Sequence, residues 1–329
     1  MNGASRHGAL SRVGLGAALA RAKLIAHHAP YSWRLLKAVP YGVARRFARG
    51  KCHDYPLMEP LFRDRCGLEI GGPSPIFGDN KLIPVYNCCA KMDNVNFSYR
   101  TIWDRASSRP HDRMTFTTQY VAEASHLDSI PDEAYDFVLA SHVLEHVANP
   151  LGALAEWKRV LRRRGAMLVI VPDLRVSFDR NRNPTSFEHI EADWANGTSE
   201  ADLGHIQEIL TCHDLGLDPG AGSALQFRER CLRNFTIRAL HHHVFVPEVV
   251  LRMLDVIGMK VLSLAIERPA HIVALAVRTD AHEAEDAQRQ NLGFLEEQAE
   301  WRKRDPLARR RGSAVRLLSP EFAWQTFAW

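Results

Sequence analysis

From Cys66 onward the sequence alternates short apolar runs with amphipathic segments, and this alternation limits the possible folds more than any other feature. Such an alternation is typical of parallel strands joined by crossover helices, so it predicts an α/β protein. The predicted strands cover 68–71, a segment within 81–93 that ends at Asp93, 120–124, 136–141 and 166–173.

Two later segments have the spacing of helices. In 149–161 apolar residues recur every three or four positions, Pro150 suits the first turn and Gly165 suits the stop. A second helix is predicted over 247–256 and is closed by Gly258. Two β-rich runs follow it, at 260–266 and 271–277.

The segment 174–240, between the fifth strand and the second helix, is polar, rich in histidine and unlike any strand of the predicted sheet. We predict that it is an inserted lid over the carboxyl ends of the strands. The chain then divides into a basic helical segment at 1–58, a central domain at 59–280 that contains the lid at 174–244, and a basic, aromatic tail at 281–329.

Composition excludes several classes of protein. With 46% hydrophobic and 24% charged residues, the chain of 329 residues has the composition of a globular protein with a sizeable core. No stretch reaches the ~18 to 20 apolar residues that a membrane-spanning helix needs, and the N-terminus lacks the apolar core of a secretion signal. Six cysteines without a C-x-x-C pair indicate reduced thiols and a cytoplasmic location.

The net charge of +4 is concentrated at the two ends of the chain. No acidic residue precedes Asp54, whereas ten Lys and Arg do, and a second basic block lies at 302–304 and 309–311. Basic residues beside terminal aromatics such as Trp324 suit the anionic inner face of a membrane, so peripheral contact is one hypothesis. Nucleic acid is a less favoured partner with the same charge preference, and packing of both ends on the core is the simplest alternative.

Four segments place polar or glycine residues where strands are predicted to end, the usual position of ligands in open parallel sheets. Glycines after a strand let a ligand approach the backbone, and an acid about 20 residues later suits ribose hydroxyls. The candidate cofactor-binding residues are Glu69, Gly71, Gly72, Asp93, Glu123, Ala124, Ser141 and His142.

The runs 130–147 and 149–173 resemble class I S-adenosylmethionine-dependent methyltransferases of the type 11 family, and the resemblance extends over roughly 66–279. It implies a Rossmann-like seven-stranded sheet that ends in an antiparallel hairpin, with S-adenosylmethionine as the cofactor. It also implies that Glu69, Gly71 and Gly72 hold the methionine end. Asp93 would contact the ribose, Glu123 the adenine, and Ser141 and His142 the methylthio group.

The chain departs from the family pattern at two turns. Residues 73–75 replace the third glycine of the first loop, and Arg162–Gly165 replace a Lys-Pro-Gly-Gly turn before the fifth strand. The first change stiffens the loop and the second affects a surface turn, so neither removes the expectation of a cofactor site.

Transfer of a methyl group to a hydroxyl needs alignment and a base. The candidate catalytic residues are His146, His189 and Asp173, because they lie at strand ends or in the lid. The lid holds several further histidines, which could act as bases or ligate a metal, but no H-E-x-x-H or comparable spacing is present, so the sequence favours the absence of a metal site. A lid rich in Arg, Asp and His, with Trp194 to stack on a ring, suits a polyhydroxylated acceptor.

The sequence therefore predicts methyl transfer to a hydroxyl of a sugar, a glycan or a small metabolite, with polysaccharide biosynthesis as the expected setting. Two alternatives remain open. The first is a non-catalytic interaction protein of the same fold in a membrane-associated biosynthetic assembly. The second, a nicotinamide dehydrogenase, shares the sheet but requires a G-x-G-x-x-G turn that the chain lacks.

Overall fold

The computed structural model describes residues 50–102, 116–267 and 271–304, with side chains omitted for 281 and 298–304. Its centre is a seven-stranded sheet in the order β3-β2-β1-β4-β5-β7-β6. The strands are β1 Cys66–Ile70, β2 Lys91–Asn96, β3 Gln119–Val121, β4 Tyr135–Ser141, β5 Leu161–Pro172, β6 Met259–Glu267 and β7 His271–Arg278.

The five strands β1 to β5 pair in parallel, and β7 joins β5 and β6 in antiparallel pairing. The predicted α/β class, the Rossmann-like sheet and its terminal hairpin are all confirmed. The order reverses between β1 and β4, because β2 and β3 extend to one side of β1 and β4 to the other. A reversal of this kind leaves a crevice at the carboxyl ends of the two central strands.

The predicted position of the second strand is wrong. β2 starts at Lys91 and ends at Asn96, so Asp93 lies within the strand rather than at its end. The apolar residues that suggested a strand before it, Ile83 and Val85, are fully buried in turns and bond to the backbone of 76–77. Their burial in turns reproduced the apolar pattern of a strand.

The sheet is covered by helices on both faces, as parallel strands require. One face packs α2 Pro150–Val160 and α7 Pro247–Val256, both close to the predicted bounds, with Trp157 fully buried between them and the sheet. On the other face α1 Tyr55–Phe62 contacts β4, where the rings of Phe62 and Phe137 lie 5.0 Å apart.

Both ends of the central domain extend past the predicted divisions. Helix α1 crosses the division at 58, and α8 Ala284–Arg304 contacts β6 and α7 beyond the division at 280. Asn291, almost fully buried, accepts from the Val261 amide at 2.9 Å and donates to the carbonyl of Met259. The rest of the predicted ends, 1–49 and 305–329, lies outside the described residues, and so does their proposed membrane contact.

The predicted lid contains helices and no strand of the sheet. Its helices are α3 Phe187–Asn196, α4 Ile206–Cys212, α5 Ala224–Leu232 and α6 Asn234–Ile237. Apolar side chains of α4 and α5 form a small separate core with Ala221 and Leu240. Among the described helices, none is both long enough and apolar enough to span a lipid bilayer.

Candidate active site

A cavity opens at the carboxyl ends of β1, β2 and β4, beside the reversal in strand order. Its empty volume is about 410 Å³. The sheet and its loops supply most of the wall, and the lid supplies two charged residues. The lining residues are Ile70, Gly71, Val95, Asn96, Phe97, Ala122, Glu123, Ala124, Val143, His146, Val147, Glu200 and Arg238.

Gly71 brings bare backbone to the cavity wall. Its φ of +77° lies in the left-handed region, and a Cβ there would come within 2.5 Å of Val143 Cγ2. The neighbouring Gly72 lies behind the wall, where its amide and carbonyl are both bonded to Asn94. Of the two predicted glycines, only Gly71 contacts the cavity.

Glu69 lies under the glycine loop and does not line the cavity. Its carboxylate accepts hydrogen bonds from the Tyr86 hydroxyl at 2.7 Å and from the Ser74 amide at 2.8 Å. Complete burial raises the pKa of Glu69 to about 7, against the lowering effect of both hydrogen bonds. In this structure the acid holds the loop in place; its contact with a ligand ammonium stays a prediction.

Asp93 is also distant from the wall. It lies within β2 and accepts from Lys91 Nζ at 3.0 Å and from the Tyr135 hydroxyl at 2.8 Å, both at the opposite end of the sheet. The polar residue of β2 that lines the cavity is Asn96, which donates to the Gly72 carbonyl at 2.7 Å. The end of β2 thus carries the side-chain amide of Asn96. The sequence analysis selected Asp93 instead, because an acid at that spacing was the stronger signal.

Glu123 and Ala124 line the cavity just after β3, where the sequence placed them. Glu123 forms an ion pair with Arg238, which arrives from the lid. The guanidinium also stacks on Phe97 and Phe235, with 5.3 and 4.8 Å to the ring centroids. Nothing in the sequence signalled Arg238 or Glu200, because both come from an insertion more than 70 residues away from the glycine loop.

Ser141 and His142 end β4 behind the cavity wall. The Ser141 hydroxyl is buried without a hydrogen-bond partner among the described residues. His142 adopts a positive φ of +54°; its Nε2 contacts His271 Nδ1 at 2.8 Å and its Nδ1 lies 3.4 Å from Glu145. Neither residue lines the cavity, so their contact with the methylthio group stays a prediction.

His146 is the one predicted catalytic residue on the cavity wall. Its Nδ1 lies 3.2 Å from the Leu240 carbonyl, which can only accept, so this nitrogen carries the proton of the neutral ring. Burial, with a further effect of His241, lowers the pKa of His146 to about 3. The ring is therefore neutral at neutral pH, and Nε2 has the lone pair.

The other two predicted catalytic residues lie elsewhere. Asp173 caps the turn after β5 and is bound by the Arg175 guanidinium at 2.6 Å. His189 lies on α3, where it contacts His205 and Asp193 rather than the cavity.

Two residues outside the predicted catalytic set support His146 from behind. The His241 ring lies 4.5 Å from the His146 ring, and its Nδ1 donates to the Asp179 carboxylate at 2.6 Å. Burial alone would raise the pKa of Asp179, but His241 and Arg182 hold it below its ordinary value. The His-His-His triplet was a visible signal, whereas Asp179 gave none.

Residues 84–169 match the family model described as a methyltransferase domain. A 1,6-didemethyltoxoflavin-N1-methyltransferase from Burkholderia thailandensis is similar at 13% identity, over 84% of this chain and 94% of that one, with a TM-score of 0.39. A methyltransferase from Aquifex aeolicus is similar at 11% identity, over 75% and 97%, with a TM-score of 0.38. At these scores the likeness does not extend to the reaction. No curated protein matches.

The match at 84–169 covers about a quarter of the chain of 329 residues and indicates an S-adenosylmethionine-dependent methyltransferase. The predicted cofactor and enzyme class are confirmed, and the non-catalytic alternative has no support.

The residues on the cavity wall are compatible with S-adenosylmethionine. Gly71 leaves room for a ligand against the backbone, and the small side chains of Ala122 and Ala124 lie on the wall after β3. Glu200 and Glu123, the latter paired with Arg238, would place carboxylates near a cationic sulfonium. Asn96 offers one acceptor oxygen to ribose hydroxyls, where a carboxylate would offer two.

Proposed function

We propose that the enzyme methylates a hydroxyl of a polyhydroxylated acceptor, such as a sugar, a glycan or a small metabolite. The observation that carries the proposal is a neutral imidazole on the cavity wall, His146, backed by two buried carboxylates. A hydroxyl must lose its proton as the methyl group arrives, so it needs such a base. Amines with a free lone pair and thiolates do not.

The first carboxylate behind His146 is Glu145. A nitrogen or oxygen of each of Glu145, His146 and His241 lies within 4.8 Å of the others. Neither Glu145 oxygen has a hydrogen-bond partner of good geometry in the described part of the chain. Burial alone would raise the pKa of Glu145, but His142, His146 and His241 hold it below its ordinary value, so it is ionised.

The second carboxylate is Asp179, which acts through His241. When His146 Nε2 accepts the hydroxyl proton, the ring becomes a cation beside these two anions. An ionised carboxylate near an imidazolium stabilises the charge that develops, as fixed charges do in a site that excludes water. S-Adenosylmethionine supplies the activated methyl group, while the residues of this chain orient the acceptor and take its proton.

The lid supports a polar acceptor. It contributes Glu200 and Arg238 to the wall, and charged groups of this kind bind hydroxyls. Trp194, predicted to stack on a ring, lies 45% exposed on α3 and is not among the lining residues. A wall for a fatty or quinone acceptor would have been apolar on this side also.

The test measures S-adenosylhomocysteine release with a panel of nucleotide sugars, free sugars and catechols, beside amine and thiol acceptors. Substitution His146→Ala should lower kcat by about 100-fold or more while S-adenosylmethionine binds as before. The control His126→Ala removes an exposed side chain whose described hydrogen bond is to its neighbour Ser125. Turnover of amines alone, or an unchanged kcat in His146→Ala, would contradict the proposal.

We further propose a cytoplasmic enzyme of polysaccharide biosynthesis whose cationic ends contact an anionic membrane carrying the acceptor. The charges of 1–53 and 302–311 support this idea from the sequence. Each basic residue near such a surface contributes about 1 kcal/mol. Co-sedimentation with anionic vesicles should fall with salt and with removal of 301–329; equal recovery with neutral vesicles argues against it.

A further inference from the structure

The lid gathers three histidines and an aspartate from three separate segments. His189 and Asp193 lie one turn apart on α3, His205 precedes α4, and His243 lies in the segment before α7. One ligand atom of each lies within 4.8 Å of the others. The sequence spacing gave no sign of this cluster, because only the fold of the lid brings the segments together.

Three distances between these atoms are close to those between the ligands of a tetrahedral site. His189 Nε2 lies 3.0 Å from His205 Nε2 and 3.2 Å from Asp193 Oδ2, and His243 Nε2 lies 3.7 Å from the same oxygen. Ligands at ~2.0–2.1 Å from a tetrahedral ion lie about 3.3 Å from one another. An ion at the centre would therefore need only small shifts of these side chains.

One atom of the cluster lacks the partner that a protein interior normally supplies. Asp193 is more than nine-tenths buried, and its Oδ2 accepts no hydrogen bond from the described residues, although it faces His189 and His243. An unpaired buried polar atom costs free energy, so such an atom calls for a ligand.

We propose that His189, Asp193, His205 and His243 bind a divalent transition-metal ion of the zinc class. Three imidazoles and one carboxylate are the ligand types that Zn²⁺ takes, and they exclude Mg²⁺ and Ca²⁺, which require oxygen. Four protein ligands complete a tetrahedral shell, which makes this a structural site rather than one that activates water.

The surroundings suit metal binding. Thr198 Oγ1 donates to Asp193 Oδ1 at 2.9 Å, which orients the carboxylate and leaves Oδ2 for the ion. The His189 side chain is 43% exposed and gives the ion a path from solvent.

The site would fasten the lid next to the cavity. His243 Nε2 now lies 3.1 Å from the Ala148 carbonyl, and binding the ion through this nitrogen exchanges that contact for the metal. The Ala148 amide donates to Glu200 on the cavity wall at 2.9 Å. Metal binding therefore changes a contact of Ala148, whose amide bonds Glu200 on the cavity wall. This effect does not depend on which acceptor is methylated.

The test uses the full chain, stripped with a chelator, dialysed and titrated with Zn²⁺ and with Co²⁺. Wild type should bind about one equivalent of Zn²⁺, with a higher thermal midpoint, and Co²⁺ should give the intense visible absorption of a tetrahedral site. His205→Ala and Asp193→Asn should each weaken Zn²⁺ binding by about 100-fold or more. The control His126→Ala should bind as wild type does.

Circular dichroism and S-adenosylmethionine affinity report whether each variant folds. His189→Gln, at the exposed edge of the cluster, serves if the buried variants do not fold, and it should lose the Co²⁺ spectrum. Less than a tenth of an equivalent of Zn²⁺ in folded wild type overturns the proposal. So does Zn²⁺ binding that survives in all three folded variants, because the ion then lies on other histidines.

Discussion

The substitution Gly71→Ala tests whether bare backbone at the end of β1 is what the cofactor site requires. Two costs are expected. An alanine at φ +77° pays about 1–2 kcal/mol for the left-handed backbone. Its Cβ would also lie 2.5 Å from Val143 Cγ2, and overpacking of this kind costs roughly 1–3 kcal/mol more.

A matched control separates the two costs. Gly197 ends α3 at φ +61°, and a Cβ there meets nothing within 4 Å. Gly197→Ala therefore loses stability only through the left-handed backbone conformation. Urea denaturation should give a loss of about 1–2 kcal/mol for this control and about 2–5 kcal/mol for Gly71→Ala. Calorimetric titration should show weaker S-adenosylmethionine binding only for Gly71→Ala, because the loop that lines the cavity must shift.

The double variant Gly71→Ala with Val143→Ala removes the atom that obstructs the new methyl group. It should recover part of the stability and part of the affinity lost by Gly71→Ala. The reasoning is refuted if the two single glycine variants lose equal stability. It is also refuted if Gly71→Ala binds the cofactor as tightly as wild type.

Three further predictions follow from the same region. Asn96→Ala should weaken the binding of S-adenosylmethionine about 2- to 10-fold by removing one hydrogen bond. Asp93→Asn should instead lower the free energy of unfolding in urea by about 1–3 kcal/mol and leave the affinity unchanged. The reverse pattern would show that Asp93 makes the ribose contact. Because the pKa of His146 is about 3, kcat measured with saturating substrates should show no protonation step of this ring between pH 5 and 8, and a step that His146→Ala abolishes contradicts this. The folded state binds the proton of Glu69 more tightly than the unfolded chain, so the stability that this group contributes is present below pH 4.5 and is lost as the pH rises to about 7. In urea titrations at several pH values, Glu69→Gln should remove a decline in the free energy of unfolding on the order of 3 kcal/mol. An unchanged decline would show that other groups cause it.

The sequence determined the elements whose signals are local. Buried strands in a parallel sheet are continuous apolar runs, and for this reason β4 appears almost where the pattern predicted it. Helix α7 likewise has the predicted bounds, because its first turn and its apolar spacing are local signals. Glycine after β1 and the acid after β3 also carry local signals, so Gly71 and Glu123 were identified and do line the cavity. The family resemblance then supplied the cofactor.

The tertiary structure decided everything that depends on contacts between distant segments. Apolar residues that are buried outside the strands have the same sequence pattern as a strand. The end of β2, and with it the position of Asn96 rather than Asp93 at the cavity, is therefore visible only once strand pairing fixes the register. The ring of His241 lies against that of His146 and is bonded to Asp179, and both residues belong to the lid. The histidine cluster likewise joins three parts of the lid. Sequence spacing does not encode such meetings, because they arise when the whole lid folds against the sheet and its buried polar groups are paired together.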